Sequence, residues 1–253
     1  MSLAGPLGVA LVSGGSGDIG AAICRALHAD GWGVVVGYVS RDRAEALAGE
    51  LATDDVPAKA MALDLTDPDQ IRASVGDLLV AEGRVGALVL NAGWSESALF
   101  VETNEDHWRT TLQINLMGPM LVTRLCLPGM VEAGEGAIVG ITSEAAKTGD
   151  AGNAVYSAGK AGLAALLRTI VREHGRDGIR ANCVAPGPID TRLLRSAFPD
   201  QETADATIEK LVRLVPMRRL GQPEEVAAAV RYLVTEGAHV AGEHLSVGGG
   251  VVM

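Results

Sequence analysis

The sequence predicts an α/β fold, a doubly wound parallel sheet of seven strands with helices on both faces, and three observations predict it. Short β-branched runs alternate with longer helical patterns along all 253 residues, and each interval is long enough for the crossover helix that parallel pairing requires. With 48% hydrophobic but only 3% aromatic residues, the core must be filled by Ala, Val, Leu and Ile, which suits strands buried on both faces. No Pro/Ser-rich or charged linker divides the chain, so residues 1–253 are expected to form one domain.

The strands are expected at "GVALV" (8–12), "GVVVGY" (33–38), "AKAMAL" (58–63), "GALVL" (86–90), "GAIVGI" (136–141), "IRANCVA" (179–185) and "EHLSV" (243–247). Helix starts carry caps or first-turn prolines, as in "TDPDQI" near Asp67 and "GQPEEV" near Pro223. The segments "AAICRALHADG" and "AGLAALLRTI" read as Ala/Leu-rich helices whose small residues allow close packing on the sheet. There is no internal repeat and no low-complexity segment.

Composition excludes several classes of function. A net charge of −10 argues against a nucleic-acid surface, which needs clustered Lys and Arg. Cys24, Cys126 and Cys183 are odd in number and form no CxxC pair, so no disulfide framework and a reducing compartment are expected. The five histidines are scattered without HExxH or similar spacing, so no metal site is expected. The start "MSLAGPLGVALV" lacks the basic and long apolar parts of a signal peptide, and no run approaches a membrane span. The expected location is cytoplasmic.

In such a sheet, ligands bind beyond the carboxyl ends of the strands. After the first strand comes "SGGSGDIG", a glycine-rich turn into a helix, which presents backbone N–H groups to a dinucleotide pyrophosphate. Ser13, Gly14, Ser16, Asp18, Ile19 and Gly20 are its expected contacts. Asp18 is an acid inside an anion-binding turn, and its carboxylate is expected to face the free N–H groups of its own helix.

The second strand ends in Tyr38, Val39, Ser40 and Arg41, with no acid before Asp42. An acid there would hold the ribose 2′-hydroxyl of NADH, whereas a hydroxyl and a guanidinium suit a 2′-phosphate. NADPH is therefore expected in preference to NADH, with Tyr38, Ser40 and Arg41 around its phosphate. The alternative is that Arg41 and Arg43 are solvated residues beginning a helix.

"NAVYSAGKAGLAAL" places Tyr156 and Lys160 four apart on one helix face. Ser143 lies at the end of the fifth strand, and "LQINLMG" puts Asn115 inside a helix, where Asn is a mediocre choice. Together with "SGGSGDIG", "LNAG" and "ANCVAPGPIDT", these residues resemble the short-chain dehydrogenase/reductase family over essentially the whole chain, in order and spacing. Within it the sequence is most similar to the 3-oxoacyl-[acyl-carrier-protein] reductases, through "NAGWSESALFVETNEDHW", "PMRRLGQPEEVAAAV" and "AGEHLSVGGGVVM".

The resemblance implies a Rossmann fold and NADPH-dependent reduction of a ketone, either a 3-oxoacyl thioester or a related polyketide or small ketone. Tyr156 would supply the proton and Ser143 hold the carbonyl oxygen. Lys160 would hold the nicotinamide ribose and, with oxidised nicotinamide, lower the phenol pKa, while Asn115 helps place a relay water. Asn91, Ala92 and Gly93 would approach the cofactor, Asp64 and Leu65 flank adenine, and Pro186, Gly187, Ile189 and Thr191 frame the nicotinamide. Asn91 has a second reading as a brace for its strand.

The resemblance further implies a substrate lid at 190–215 and a homotetramer, and its usual glycine is missing where Asp18 stands. The positions at which similar reductases carry basic residues for an acidic acyl-carrier protein are Gly134 and Asp177 here, leaving Arg176, Arg180, Arg192 and Arg195 as substitutes. With a net charge of −10 this argues against steering an acidic carrier. A small-molecule alcohol or sugar dehydrogenase and a non-catalytic NADP-binding protein are the alternatives.

Overall fold

A computed structural model describes residues 3–196 and 200–252. Seven parallel strands form one sheet in the order β3-β2-β1-β4-β5-β6-β7. In chain order they are β1 (Val9–Ser13), β2 (Gly33–Tyr38), β3 (Ala58–Ala62), β4 (Ala87–Leu90), β5 (Gly136–Ile141), β6 (Ile179–Pro186) and β7 (His244–Val247). Each lies where the sequence placed it, to within one residue at either end.

The helices are α1 (Asp18–Ala29), α2 (Arg41–Leu51), α3 (Pro68–Glu82), α4 (Glu105–Leu112), α5 (Gly118–Ala133), α6 (Ala145–Thr148), α7 (Ala154–His174), α8 (Arg192–Ser196), α9 (Gln201–Leu214) and α10 (Pro223–Arg231). Asp67 caps α3 by accepting the N–H groups of Asp69 and Gln70, both at 3.0 Å. At α10, Gln222 and Glu225 close a reciprocal capping box ahead of Pro223.

Alternation along the strands sorts the core into two layers. Ala10 and Val12 of β1 face one layer, with Ile23 and Leu27 of α1, Leu47 of α2 and Val226 and Val230 of α10. Val9 and Leu11 face the other, with Ile71 and Val75 of α3, Val122 and Met130 of α5 and Leu163 and Leu167 of α7. Both faces are thus covered, so the strands are buried on both sides, and branched aliphatics fill a core that has few aromatics.

One expectation needs correction. The run Glu105–Ala133 is a helix of 29 residues in which an 18-residue window reaches a mean hydropathy of 1.3, long and apolar enough by composition to cross a membrane. Here it is a core helix: Val122, Cys126 and Met130 pack on the sheet, and residues Gln113–Met117 form a π-turn between α4 and α5.

The chain winds from β1 outward to β3, then returns to place β4 on the other side of β1. At that switch point the connections after β1 and β4 diverge and leave a crevice at the carboxyl edge. Over this crevice lies the expected lid. Its described parts are α8 and α9, the latter capped by Asp200, which accepts the Thr203 N–H at 2.7 Å. Much of the polar stretch 199–207 is therefore helical, while residues 197–199 lie outside the described residues.

Candidate active site

A cleft of about 600 Å³ opens at the switch point. Its floor is the turn after β1. Gly14 has φ +61°, and a Cβ on Gly20 would sit 2.2 Å from the Gly14 carbonyl oxygen. Only hydrogen at Gly20 lets α1 approach the turn this closely, which brings the helix start to the cleft.

The turns after β1 and β4 are bonded together behind this floor. The buried Ser13 hydroxyl accepts the N–H groups of Asn91 at 3.0 Å and Ala92 at 3.1 Å. In return the Asn91 amide donates to the carbonyls of Ser13 at 3.1 Å and Gly14 at 3.0 Å. Asn91 thus braces two strand ends while also lining the cleft, and Ser13 acts from behind it.

Of the other expected cofactor residues, Gly14, Ser16, Asp18, Ile19 and Gly20 line the cleft, as do Ser40, Asp64, Leu65, Ala92, Gly93 and Thr191. The Asp64 carboxylate is turned inward on its own loop, accepting from the Thr66 N–H at 2.8 Å and the Thr66 hydroxyl at 2.7 Å. Pro186, Gly187 and Ile189 lie outside this wall. The Pro186 carbonyl accepts the Glu144 N–H at 3.1 Å and Gly187 N–H donates to the Val247 carbonyl at 3.1 Å. Ile189 is buried and bridges to Gly221.

Two sequence expectations change. The Asp18 carboxylate makes no cap on α1; it accepts the backbone N–H and the Nε–H of Arg192, each at 2.6 Å. Those hydrogen bonds and the Arg192 charge hold its pKa below the usual carboxylate value despite the opposing desolvation by partial burial. A guanidinium is a stronger partner than the N–H groups of its own first turn.

Arg41 is the second. Its Nε–H donates to the Tyr38 hydroxyl at 3.3 Å and pairs with Glu45 at 3.3 Å, and Tyr38 and Arg41 do not line the cleft. Arg43 does, beside Ser40 and Val39, and it makes no salt bridge among the described residues. The signal was in the sequence: with Ser40 as N-cap, residues 41 and 45 share a helix face and position 43 points elsewhere. Trp94, Ile114 and Leu193 also line the cleft and were not anticipated; no local motif marks them.

At the catalytic end, Asn115 sits in the π-turn and is completely buried. Its amide donates to the carbonyls of Trp94 at 2.7 Å and Thr111 at 2.9 Å, and its Oδ1 accepts the Trp94 N–H at 3.3 Å. The side chain is therefore occupied in holding the segment after β4. A Cβ on Gly93 would lie 3.0 Å from Lys160 Nζ and 3.2 Å from Asn115 Oδ1, so the three residues converge.

Lys160, buried on α7, donates to the Ile141 carbonyl at 2.8 Å, and burial pushes its pKa down to about 8. Its Nζ stands 5.7 Å from the centre of the Tyr156 ring. The phenol pKa is raised, first by burial and also by the Asp150 carboxylate, against a hydrogen bond with Ser143. The lowering expected from Lys160 and oxidised nicotinamide is thus not what the protein alone provides: burial dominates, and the lowering influence is Ser143. Ser143 begins α6's approach by accepting the Ala145 N–H at 3.1 Å.

Three of the four arginines expected as docking substitutes are engaged, while Arg176 is exposed, its Nε 3.9 Å from Asp177. Arg180 donates to the carbonyls of Leu233, Val234 and Gly237, satisfying a second π-turn at Tyr232–Glu236. Arg195 pairs with Asp190 at 2.8 Å, and Arg192 with Asp18.

Comparison with known proteins agrees with this geometry. A family profile described as Enoyl-(Acyl carrier protein) reductase matches residues 14–252. The chain is 34% identical to a 3-oxoacyl-[acyl-carrier-protein] reductase of Synechocystis sp., over 97% of each chain. It is 36% identical to an acetoacetyl-CoA reductase of Acinetobacter sp., over 97% of this chain and 98% of the relative. It is 38% identical to nodulation protein G of a Rhizobium species, over 96% of each. With the seven-stranded parallel sheet, the glycine turn at the switch point and Tyr156 and Lys160 on one helix, these matches establish that the chain is an oxidoreductase of the short-chain dehydrogenase/reductase family.

Proposed function

We propose that the chain reduces a ketone to a secondary alcohol with NADPH, the ketone being a 3-oxoacyl thioester or a small relative of one. The observation that carries this reading is the convergence of Gly93, Asn115 and Lys160 at the end of the dinucleotide-sized cleft, with Tyr156 one helical turn before Lys160. The turn around Gly14 and Gly20 fits a pyrophosphate, because no side chain stands between its backbone and the cleft. The cofactor, when bound, supplies the hydride.

Tyr156 is the proton donor. A phenol with a raised pKa stays protonated at neutral pH, as reduction requires, and the site must favour its phenolate only as the alcohol forms. Ser143, whose side chain acts to lower the pKa of the same phenol, would steady the carbonyl oxygen as charge develops on it. Lys160 carries a buried positive charge to the same place, with its orientation set by the Ile141 carbonyl. Two hydroxyls facing one oxygen favour a carbonyl over a carbon–carbon double bond as the reduced group. A non-catalytic role is disfavoured by the assembly of all four groups.

Arg43 is the residue best placed for the 2′-phosphate, with Ser40. Replacing it should remove one or two charge-assisted hydrogen bonds, lowering kcat/KM for NADPH about 10- to 100-fold, with little effect on NADH; Arg41→Ala should change either less than about two-fold. Equal preference for the two cofactors in the wild type would refute the NADPH assignment. A panel of an acetoacetyl thioester and small ketones decides the substrate: turnover of none, with NADPH bound, would return the non-catalytic reading.

The net charge of −10 and the engagement of Arg180, Arg192 and Arg195 favour a free thioester or small ketone over docking of an acidic carrier protein. A cytoplasmic homotetramer is the assembly proposed. The oligomer is supported by the exposed apolar side chains Phe100, Val101, Met117, Met120, Tyr232 and Val251 and by Leu245 on the edge strand β7.

A further inference from the structure

Residues 174 positions apart meet at one ion pair across the cleft mouth: Asp18 at the start of α1 and Arg192 at the start of α8. Both carboxylate oxygens are used. Oδ2 accepts the Arg192 backbone N–H at 2.6 Å and Oδ1 accepts its Nε–H at 2.6 Å, with Nη2 against the same oxygen.

The backbone contact is the informative one. A pair of side chains would leave the main chain free to move, whereas this carboxylate fixes the main chain of residue 192 as well. Its neighbours Thr191 and Leu193 form part of the cleft wall opposite the glycine turn. Below them the chain is rooted by the Asp190 N–H on the Gly221 carbonyl at 2.8 Å and the Gly221 N–H on the Pro188 carbonyl at 3.0 Å. The first turn of the lid is therefore tied at its root to the body of the protein and at its tip to the phosphate-binding turn.

We propose that Asp18 and Arg192 form a latch, two positioning residues that hold the start of the lid over the dinucleotide cleft and slow the release of bound cofactor. The proposal rests on the reading of the cleft as an NADPH site. A latch and a simple charge effect predict opposite patterns. If Asp18 acted only by repelling the cofactor phosphates, neutralising it would slow release. Neutralising Arg192 would then speed release, and neutralising both would cancel.

A latch weakens whichever partner is lost, and more at Asp18, which holds both the backbone N–H and the guanidinium of residue 192, than at Arg192, whose backbone N–H remains in any side-chain variant. Asp18→Asn and the double variant, which keeps the net charge of the pair, should release NADPH about five-fold faster and Arg192→Gln about two-fold faster, with the double no faster than Asp18→Asn. Stopped-flow displacement of NADPH, followed by its fluorescence, reads this. Wild-type release in the double variant, or single effects of opposite sign, would overturn the latch.

A second measurement needs no cofactor. The Arg192 amide should exchange with deuterium several-fold faster in Asp18→Asn than in the wild type; unchanged exchange would overturn the proposal on its own. If the wild type binds no NADPH, the functional reading fails and takes the cofactor-release claim with it. The exchange experiment then still decides whether Asp18 holds the lid.

Discussion

The two ends of the cleft are built from different materials. The cofactor end is backbone: Gly14, Gly20, Ala92 and Gly93 bring main chain to the surface, and the two turns are tied by Ser13 and Asn91. The catalytic end is buried side chains, with Asn115 and Lys160 withdrawn from solvent and the pKa values of Lys160 and Tyr156 displaced by burial. The first end tolerates no added volume, and the second tolerates no lost function. Substitutions that remove chemistry should therefore separate from substitutions that add atoms.

The largest effect is expected at the catalytic end. Tyr156→Phe should lower kcat about a thousand-fold while leaving the Kd for NADPH within about two-fold; retained turnover would show that another group gives the proton. At the cofactor end the damage should be to shape. Gly20→Ala sets a methyl 2.2 Å from the Gly14 carbonyl oxygen, and backbone cannot step aside cheaply, so a loss of about 3 kcal/mol of stability is expected. NADPH affinity should fall with it, and a wild-type Tm together with wild-type affinity would contradict the close approach.

Lys160→Met sharpens the contrast, because it should abolish turnover and strengthen the fold. Burial lowers the Lys160 pKa from 10.5 to about 8, so its ammonium costs the folded state about 3 kcal/mol at neutral pH. Between about pH 8 and 10.5 the unfolded chain keeps that proton and the folded chain has lost it, so this group makes stability rise with pH across that window. Below it, the whole cost is present. Thermal unfolding at pH 7 should show a higher Tm for Lys160→Met, and the wild-type rise above pH 8 should flatten; a lower Tm would mean that the Ile141 hydrogen bond outweighs desolvation. In the wild type, kcat/KM, which reports the groups of the free enzyme, should decline as the pH passes about 8 and the ammonium is lost.

The smallest effect belongs to neither end. Asp67→Ala removes the cap of α3 and should cost about 1 kcal/mol without changing kcat or KM. A kinetic change there would show that α3 reaches the cleft in a way its position does not suggest.

The same contrast explains what was legible in the sequence. Backbone ends of strands are marked by local chemistry, so the seven strands, the glycine turn and "NAG" after β4 were readable one by one. Tyr156 and Lys160 were readable because helical spacing alone puts them on one face. What failed depended mostly on partners far away in sequence, Arg41 with its local partners Tyr38 and Glu45 being the exception. Asp18 was assigned to its own helix because Arg192, its actual partner, lies in the lid. Arg41 was preferred over Arg43 because it comes first after the strand, although Glu45 already marked its face as an ion pair. Trp94, Ile114 and Leu193 meet only through the fold. For the phenol of Tyr156 the sequence points to lowering by Lys160 and oxidised nicotinamide together, while the burial that raises it in the protein alone is not visible in a motif.

The π-turn at Gln113–Met117 has a consequence for how this chain tolerates length changes. A π-turn holds one residue more than the α-helical turn it replaces, and in a helix of 3.6 residues per turn one residue amounts to about 100° of rotation. The π-turn takes up that extra residue within one turn, so α4 and α5 keep their apolar faces on the core although their numbering is offset by one. Deleting a single residue between 113 and 117 would let one straight helix run through with those faces kept, but it would remove the local widening that carries Asn115 to the Trp94 carbonyl. An insertion of one residue, ordinarily a defect in a core helix, is here what aims a polar side chain inward, so this short stretch should resist deletion more than the exposed loops around it.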